Sequence, residues 1–134
     1  MLESLRSQPF VHFSRYGNYV ALDSTCLFCR IITGEIPTDL VFQSENVVAF
    51  NDINPQAPTH VLIIPTLHIE NAAALARISP TIPAELFSTA AQIASERGLA
   101  GYRNVFNTGA EAGQSVFHAH LHLLGGRYLA WPPG

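Results

Sequence analysis

The segment GQSVFHAHLHLLGG, residues 113–126, carries three of the six histidines of the chain, and they recur at every second position. Successive side chains of a β-strand point to opposite faces, so His118, His120 and His122 are predicted to line one face while apolar residues line the other. A half-buried strand with one solvated face is the simpler interpretation. A solvated face is usually filled with Thr, Lys, Glu or Ser, however, so the histidines indicate a face used for chemistry.

The composition of the 134-residue chain predicts one soluble domain with a substantial core. Hydrophobic residues make up 48% of the chain and charged residues 13%, which leaves apolar surface on a small domain and favours a homo-oligomer. The formal net charge of -3 gives no basic field, so polymeric nucleic acid is not an expected partner. No apolar run is long enough to span a bilayer and no secretory signal is recognisable, so we expect a cytoplasmic protein without a membrane partner.

The chain is predicted to divide into an N-terminal extension, residues 1–22, and a single domain, residues 23–134. The extension contains the acidic Glu3 and lacks an Arg-rich amphipathic pattern, so an organelle-targeting segment is disfavoured.

The domain alternates short apolar strands with two helical segments. CLFCRIITG predicts a short N-terminal helix that stops at Gly34, and the stretch from Pro83 to Gly98 predicts the main helix. The runs LVFQ and NVVAFND predict a hairpin, HVLIIP a buried strand ending at Pro65, and YRNVFN and FHAHLHLL two further strands. The fold class is therefore α+β, with a mainly antiparallel sheet of roughly five strands and helices on one side.

Both cysteines of the chain lie in CLFC, as Cys26 and Cys29. At this spacing two thiolates can hold one tetrahedral zinc ion, which then needs two more donors. Because the chain has no other cysteine, these donors must be histidines, and His68 and His118 are the best placed. Redox chemistry or inert thiols are the alternatives, but no clear strand precedes the motif as a thioredoxin-like site requires. A closed site of four ligands would be structural.

His120 is the central histidine of the triad and the candidate nucleophile. A neutral imidazole attacks phosphorus when one ring nitrogen is held by an acceptor and the other faces the substrate. His60 is an expected neighbour if its strand lies beside the triad strand. His122 and Ser115 can donate to phosphate oxygens or protonate a leaving group, and the glycine-bearing loop before Ser115 can present backbone N–H groups.

The pattern His-φ-His-φ-His-φ-φ of HAHLHLL, where φ is apolar, resembles the signature of the histidine triad (HIT) superfamily, and in particular its nucleotide-binding branch. The similarity runs from about Thr25 to the C-terminus, through FCRIITGEIPTDLVF, AFNDINPQAPTHVLIIP, HIEN, NTGAEAGQSVFHAHLHLLGGR and WPPG. The resemblance implies a HIT-like fold, a homodimer, and hydrolysis of the phosphorus–nitrogen bond of purine nucleoside phosphoramidates and related adenylates.

The resemblance also implies roles for individual residues. His120 would attack phosphorus to form a nucleotidyl-histidine intermediate, His60 would orient the ring of His120, and Asp52 would accept the ribose hydroxyls. The remaining positions implied to contact the substrate are Ser115, His122, Asn107 and Gln114, together with the residues that would enclose the purine base, Leu27, Phe28, Ile31, Phe50, Ile53 and Leu62. Each of these apolar residues, taken singly, also fits plain core.

Zinc-bearing members of the branch use two cysteines, the histidine after the strand and the first triad histidine, which match Cys26, Cys29, His68 and His118. If His118 binds zinc, it is not available as a proton donor. The His-Pro-His-x-Gln pattern of the nucleotidyltransferase branch is absent, so transfer to a sugar phosphate is disfavoured.

Three functions fit these residues. The leading hypothesis is a purine nucleoside phosphoramidate hydrolase with a structural zinc ion. A dinucleoside polyphosphate hydrolase is the alternative among enzymes, because the same nucleophile serves it. A nucleotide-binding interaction module with incidental hydrolysis is the alternative outside the enzymes, since sensing and hydrolase geometry can share one scaffold.

Overall fold

The computed structural model describes residues 11–13 and 19–134, with side chains from Leu22 onward. Two short strands, β1 (Val11–Phe13) and β2 (Tyr19–Ala21), pair antiparallel inside the predicted extension. The rest of that extension, residues 1–10 and 14–18, lies outside the described residues. The boundary between the extension and the domain stays a prediction.

A five-stranded sheet organises the domain. Its strands are β3 (Leu40–Gln43), β4 (Val47–Asn51), β5 (Thr59–Pro65), β6 (Tyr102–Val105) and β7 (Leu121–Gly125). They lie in the spatial order β3-β4-β5-β7-β6, and every neighbouring pair is antiparallel. The predicted α+β class, the hairpin and the buried strand that ends at a proline are confirmed.

Three α-helices accompany the sheet in the described part of the chain, α1 (Leu27–Ile32), α2 (Ala72–Ile78) and α3 (Thr81–Glu96). A 3-10 helix, Ala110–Ala112, lies in the glycine-bearing loop. None of these helices is long and apolar enough to cross a membrane.

The sequence signals at the helix ends account for α1 and α3. The Sγ atom of Cys26 accepts a hydrogen bond from the backbone N–H of Cys29 and so caps the start of α1, while Gly34, with φ +81°, ends its last turn. Helix α3 starts two residues before the predicted Pro83, which lies in the first turn, where its missing N–H is not needed. Gly98, with φ +65°, follows its C-terminus as predicted.

Helix α2 has no counterpart among the elements predicted from the sequence. Its N-cap is Asn71, whose Oδ1 accepts the N–H of Ala74 at 2.9 Å. Only Leu75 of the run AAALARI is buried, so the helix has no apolar stripe from which to predict it. The only sequence signal for this helix is Asn71 itself, because asparagine is a preferred N-cap residue.

The sheet buries a different core on each of its faces. Helices α2 and α3 cover one face, whose sheet residues are Val47, Ala49, Val61, Ile63, Leu121 and Leu123. Helix α1 covers the other face, where it packs on Val48, Phe50, Leu62 and Ile64. The prediction of helices on one side is therefore wrong for α1. The apolar runs of β4 and β5 are continuous rather than alternating, so both faces of these strands have to be covered.

The predicted strand FHAHLHLL begins later than expected, because only His122 of the triad lies in β7. The N–H of Ala119 donates to the carbonyl oxygen of Ile69 at 2.7 Å instead of to a neighbouring strand. The alternation of side chains nevertheless holds, since Ala119 and Leu121 are buried in the core under α3. The histidines are left on the face that α1 covers.

Truncation of Leu86 tests the core under α3. This side chain is fully buried, so Leu86→Ala loses the transfer free energy of its methyl groups and leaves a cavity. We expect the free energy of unfolding, measured by urea denaturation, to fall by about 2–5 kcal/mol. The exposed neighbour Ser88 provides the control, since Ser88→Ala is expected to change the same quantity by less than about 0.5 kcal/mol. Equal effects of the two variants would contradict the assignment of this face.

Candidate active site and metal centre

The antiparallel register brings Asp52, His60 and His122 together on the face that α1 covers. Strands β5 and β7 are neighbours, with Leu62 opposite His122, and the N–H of Asp52 donates to the carbonyl oxygen of His60 at 2.9 Å. One ligand atom from each of the three side chains lies within 4.8 Å of the others. The expected neighbourhood of His60 and the triad strand is confirmed.

A second cluster, Cys26, Cys29, His68 and His118, is a candidate metal centre. Nδ1 of His118 lies 3.5 Å from Sγ of Cys26 and 3.6 Å from Sγ of Cys29. Nδ1 of His68 lies 3.2 Å from Sγ of Cys29 and 3.2 Å from Nδ1 of His118. Around a tetrahedral zinc ion, two sulfur and two nitrogen ligands lie roughly 3.2–3.8 Å from one another. The four predicted ligands therefore fit one metal ion of this size and geometry.

Hydrogen bonds in and around the cluster set the protonation of its donor atoms. Nε2–H of the fully buried His118 donates to the carbonyl oxygen of Pro65 at 2.9 Å, which leaves Nδ1 with a lone pair that faces the cluster. A hydrogen bond from the thiol of Cys29, followed by one with His118, lowers the pKa of Cys26. The same thiol hydrogen bond, together with burial, raises the pKa of Cys29. One thiolate is thus stabilised by the fold itself.

The ring of His120 is fixed by a hydrogen bond to the backbone. Its Nδ1 lies 2.7 Å from the carbonyl oxygen of His118, and a carbonyl can only accept, so the proton of the neutral ring is on Nδ1 and Nε2 carries a lone pair. Burial lowers the pKa of His120 and favours this neutral form. The orienting role of His60 that the resemblance implied stays a prediction. The group hydrogen-bonded to the ring here is the carbonyl of His118, while Nε2 of His60 lies 2.9 Å from Nδ1 of His122.

His60 and His122 form a chain of hydrogen bonds that ends in a free donor. The backbone N–H of Gln56 donates to Nδ1 of His60 at 3.0 Å, so the proton of neutral His60 is on Nε2. This Nε2–H donates to Nδ1 of His122 at 2.9 Å, with Oδ2 of Asp52 as a second acceptor at 3.4 Å. The proton of neutral His122 is therefore on Nε2, which is buried without a hydrogen-bond partner in the described part of the chain. A buried donor of this kind is available to a ligand.

The two outer nitrogens belong to neighbouring rings, since the ring centroids of His120 and His122 are 4.9 Å apart. The site thus offers an unprotonated nitrogen, a competent nucleophile, beside an N–H donor that can bind an oxyanion. If His118 belongs to the metal cluster, the triad offers two groups for chemistry, the lone pair of His120 and the N–H donor of His122.

The residues implied to enclose the purine base fall into two groups. Leu27 and Ile53 are exposed, at 46% and 101% of their surface. The other four are buried in the core under α1, namely Phe28, Ile31, Phe50 and Leu62. Contact of any of them with a base stays a prediction, but Phe28 has a further contact, because its ring packs edge-on against that of His120 with centroids 5.0 Å apart.

The loop residues implied to contact the substrate are placed less uniformly. Gln114 is buried, its Oε1 accepts the N–H of Gly109, and its Nε2 donates to the carbonyl oxygens of Glu70 and Val116. Its amide therefore braces the loop, and this geometry gives no support to a substrate contact. Ser115 is exposed and lines a cavity beside the metal cluster. Asn107 is half-buried just beyond β6.

Sequence reasoning missed three groups that define the site, the N–H of Gln56 and the carbonyls of Pro65 and His118. All three belong to the backbone, and a backbone group leaves no residue-type signal in a sequence. The turn-favouring run NPQAPT before β5 was the only indication that a loop could supply a donor there.

The fold and its two clusters define an α+β domain in which one face of an antiparallel sheet carries a histidine triad beside a Cys/His cluster. The chain belongs to the family described as HIT domain, whose model matches residues 33–129. This confirms the resemblance seen in the sequence.

Two relatives and a solved structure are similar along most of their length. The chain is 47% identical over 116 residues to the 14 kDa zinc-binding protein of Zea mays, covering 84% of this chain and 90% of the relative. It is 46% identical over 105 residues to the purine nucleoside phosphoramidase of Escherichia coli (strain K12), covering 77% and 88%. The crystal structure of a HIT family hydrolase from Legionella pneumophila Philadelphia 1 has 50% identity and a TM-score of 0.78, covering 81% of this chain and 99% of that chain.

The protonation of His122 can be measured directly. Burial, followed by the nearby rings of His120 and His60, lowers its pKa to about 4, while Asp52 acts in the opposite direction. We expect the NMR signal of its ring Cε1–H to titrate near that value, with the signal assigned by comparison with His122→Ala. Because the folded chain then binds fewer protons than the unfolded chain below pH 6.5, this residue lowers the free energy of unfolding as the pH falls towards 4. A titration near the ordinary histidine value of 6.5 would contradict the buried, neutral pair.

Proposed function

We propose that this protein hydrolyses the phosphorus–nitrogen bond of purine nucleoside phosphoramidates, releasing a nucleoside monophosphate and an amine. The observation that carries the proposal is the hydrogen bond from Nδ1–H of His120 to the carbonyl oxygen of His118, because it leaves Nε2 of a neutral imidazole free for attack. The similarity to a relative named purine nucleoside phosphoramidase supports the choice of substrate.

The first step is attack of Nε2 of His120 on the α-phosphorus. A new nitrogen–phosphorus bond forms to the ring and the bond to the amine breaks. The amine nitrogen takes the hydroxyl proton of the exposed Ser115, which solvent water replaces. The His120 ring gains positive charge in this step, and the carbonyl oxygen of His118 at Nδ1–H stabilises that charge. Nε2–H of His122 donates to a phosphate oxygen as negative charge develops there.

In the second step water attacks the nucleotidyl-histidine and loses a proton to the solvent, which releases the nucleoside monophosphate and restores the lone pair on Nε2. Asp52 is proposed to hold the ribose hydroxyls, since two neighbouring hydroxyls suit a carboxylate acceptor. Ser115 and Asn107 are proposed to serve the phosphate or the leaving amine, and His60 to hold His122 in its donor tautomer.

Removal of the nucleophile tests the reaction. His120→Ala is expected to lower kcat for an adenosine phosphoramidate by about 10⁴-fold or more, since no other group can form the covalent intermediate. Mass spectrometry of the quenched wild-type reaction should show one nucleotidyl group per chain, and the variant should show none. Glu96→Ala, on the exposed surface of α3, is the control and should turn over normally.

Unchanged turnover in His120→Ala would refute the proposal. Diadenosine polyphosphates assayed beside the phosphoramidate separate the two hydrolase hypotheses, and a higher kcat/KM for the polyphosphates would reverse the proposed preference. Tight binding of adenosine nucleotides with negligible turnover of every substrate would favour the interaction module.

We propose zinc as the ion of the metal centre, held by Cys26, Cys29, His68 and His118. Two thiolates and two imidazoles are a donor set typical of structural zinc, and a relative is named for zinc binding. Four protein ligands leave no open position, so zinc would pin α1 to the sheet rather than act on the substrate.

Metal analysis tests this assignment. Protein purified without chelator should contain about one zinc ion per chain by mass spectrometry, and Cys29→Ser, which removes one of the four ligands, should contain far less. A metal-free wild-type chain whose two thiols both react with a thiol reagent would refute it.

A homodimer is also proposed for the functional form, as is a cytoplasmic location. Strand β6 is an edge of the sheet, and the nearby aromatic residues Phe87 and Tyr102 are 48% and 43% exposed. An unpaired edge beside exposed aromatic side chains is a surface that a second subunit can cover. The mass in solution, measured by light scattering, decides the oligomeric state.

A further inference from the structure

We propose that the metal centre positions the nucleophile, so that loading of the Cys/His cluster sets the reactive tautomer of His120. The inference rests on the proposed function for the role of His120, and it assigns the cluster a part in catalysis beyond holding the fold. Three connections between the cluster and residues 118–120 carry it.

The first connection is His118, which belongs to both sites. Its ring is held in the cluster through Nδ1 and against the carbonyl oxygen of Pro65 through Nε2–H. Its own carbonyl oxygen accepts Nδ1–H of His120 at 2.7 Å. The side chain is fully buried, so a ring fixed at two nitrogens leaves its backbone little freedom. The acceptor that selects the tautomer of His120 is thus part of a metal ligand.

The second connection is Phe28, which lies between the two cysteine ligands on α1. Its ring packs edge-on against the rings of His118 and His120, with centroids 5.9 Å and 5.0 Å away. When Cys26 and Cys29 are held by the ion, α1 and this ring are held with them. Phe28 is therefore a positioning residue for the imidazole of His120.

The third connection follows the ligand His68. The next residue, Ile69, accepts the N–H of Ala119 at 2.7 Å through its carbonyl oxygen. Ligands on three separate segments thus hold residues 118–120 through a side chain, a ring contact and a backbone hydrogen bond.

Without the ion, this arrangement loses the charge that holds its donor atoms together. The lone pair of His118 Nδ1 then faces the nitrogen of His68 at 3.2 Å and two sulfur atoms. Only the few protons shared within the cluster offset the repulsion between these lone pairs. Movement of the His118 backbone releases Nδ1–H of His120, which can then carry its proton on Nε2 instead. That tautomer has no lone pair for attack, whereas Asp52 and His60 stay in place through the register of β4 and β5.

Cys26→Ser is the variant that isolates this effect. Serine is a preferred N-cap and accepts the N–H that Cys26 accepts now, so α1 keeps its cap while the cluster loses a thiolate. The variant is compared with zinc-loaded wild-type protein, with wild-type protein stripped by a chelator, and with the stripped protein after zinc is added back. Arg30→Gln is the matched control, because it changes a partly exposed side chain on the same helix that pairs with the exposed Glu35.

Four quantities are measured: zinc content, kcat and KM for an adenosine phosphoramidate, the ¹⁵N NMR shifts of the His120 ring, and the near-UV circular dichroism. We expect stripped wild-type protein and Cys26→Ser to lose about 10–100-fold in kcat while KM changes by less than about threefold, as for residues that orient a reacting group. The His120 nitrogens should change from a single Nδ1–H tautomer to a mixture. Added zinc should restore the stripped wild-type protein, and Arg30→Gln should resemble the wild type throughout.

A metal-free chain with a native circular dichroism spectrum, unchanged kcat and an unchanged His120 tautomer would overturn the proposal. Loss of the native spectrum in both the stripped protein and Cys26→Ser would overturn it too, because the cluster would then hold the whole fold rather than His120. If no form of the protein cleaves phosphoramidates but the tautomer still follows zinc, the proposed substrate is wrong and the positioning stands.

Discussion

The hydrogen bond between the ring of His120 and the carbonyl oxygen of His118 is the constraint on which the site depends. A neutral imidazole has one proton, and the nitrogen that keeps it cannot attack phosphorus. A backbone acceptor at Nδ1 settles this choice before any substrate arrives. The N–H of Gln56 settles the opposite choice for His60, and through it for His122. Backbone groups thus select the Nδ1–H tautomer for His120 and the Nε2–H tautomer for His60 and His122.

Burial makes these arrangements matter, because it keeps the rings neutral. The pKa values of His60, His120 and His122 are all lowered, with burial as the largest cause. Helix α1 contributes to the burial of His120 through Phe28, whose ring packs edge-on against it, on a face that helices on one side of the sheet would leave in water. A charged ring would donate from both nitrogens, and the distinction between nucleophile and donor would be lost. The packing of this face therefore determines the protonation states of its histidines.

The parts of the fold with strong local signals were predictable, since β-branched runs predicted the strands and Gly34 predicted the end of α1. The CxxC motif, in a chain without other cysteines, predicted that histidines complete the proposed metal cluster, and the resemblance implied the same two candidates, His68 and His118. The side of the sheet that α1 covers was predicted wrongly, because a run such as VLII shows that both faces are buried without showing what covers each. The hydrogen-bond partner of His60 depends on the register of β5 and β7 and on the backbone N–H of Gln56. Residue types predict neither of these. Gln114 fits a substrate contact by type, yet its amide braces the loop.

Helix α1 also bears on the order in which this protein assembles. Six residues are too few for a stable isolated helix, so α1 depends on the sheet beneath it and on the cysteines at its start. The partner of Cys26 in the cluster, His118, lies 92 residues further along the chain. A ribosome makes Cys26 before His118, so the cluster closes only after strands β3 to β6 have been synthesised. The two thiols of a growing chain therefore lack His118 as a partner until that residue has been made. The proposed nucleophile, His120, is made two residues later.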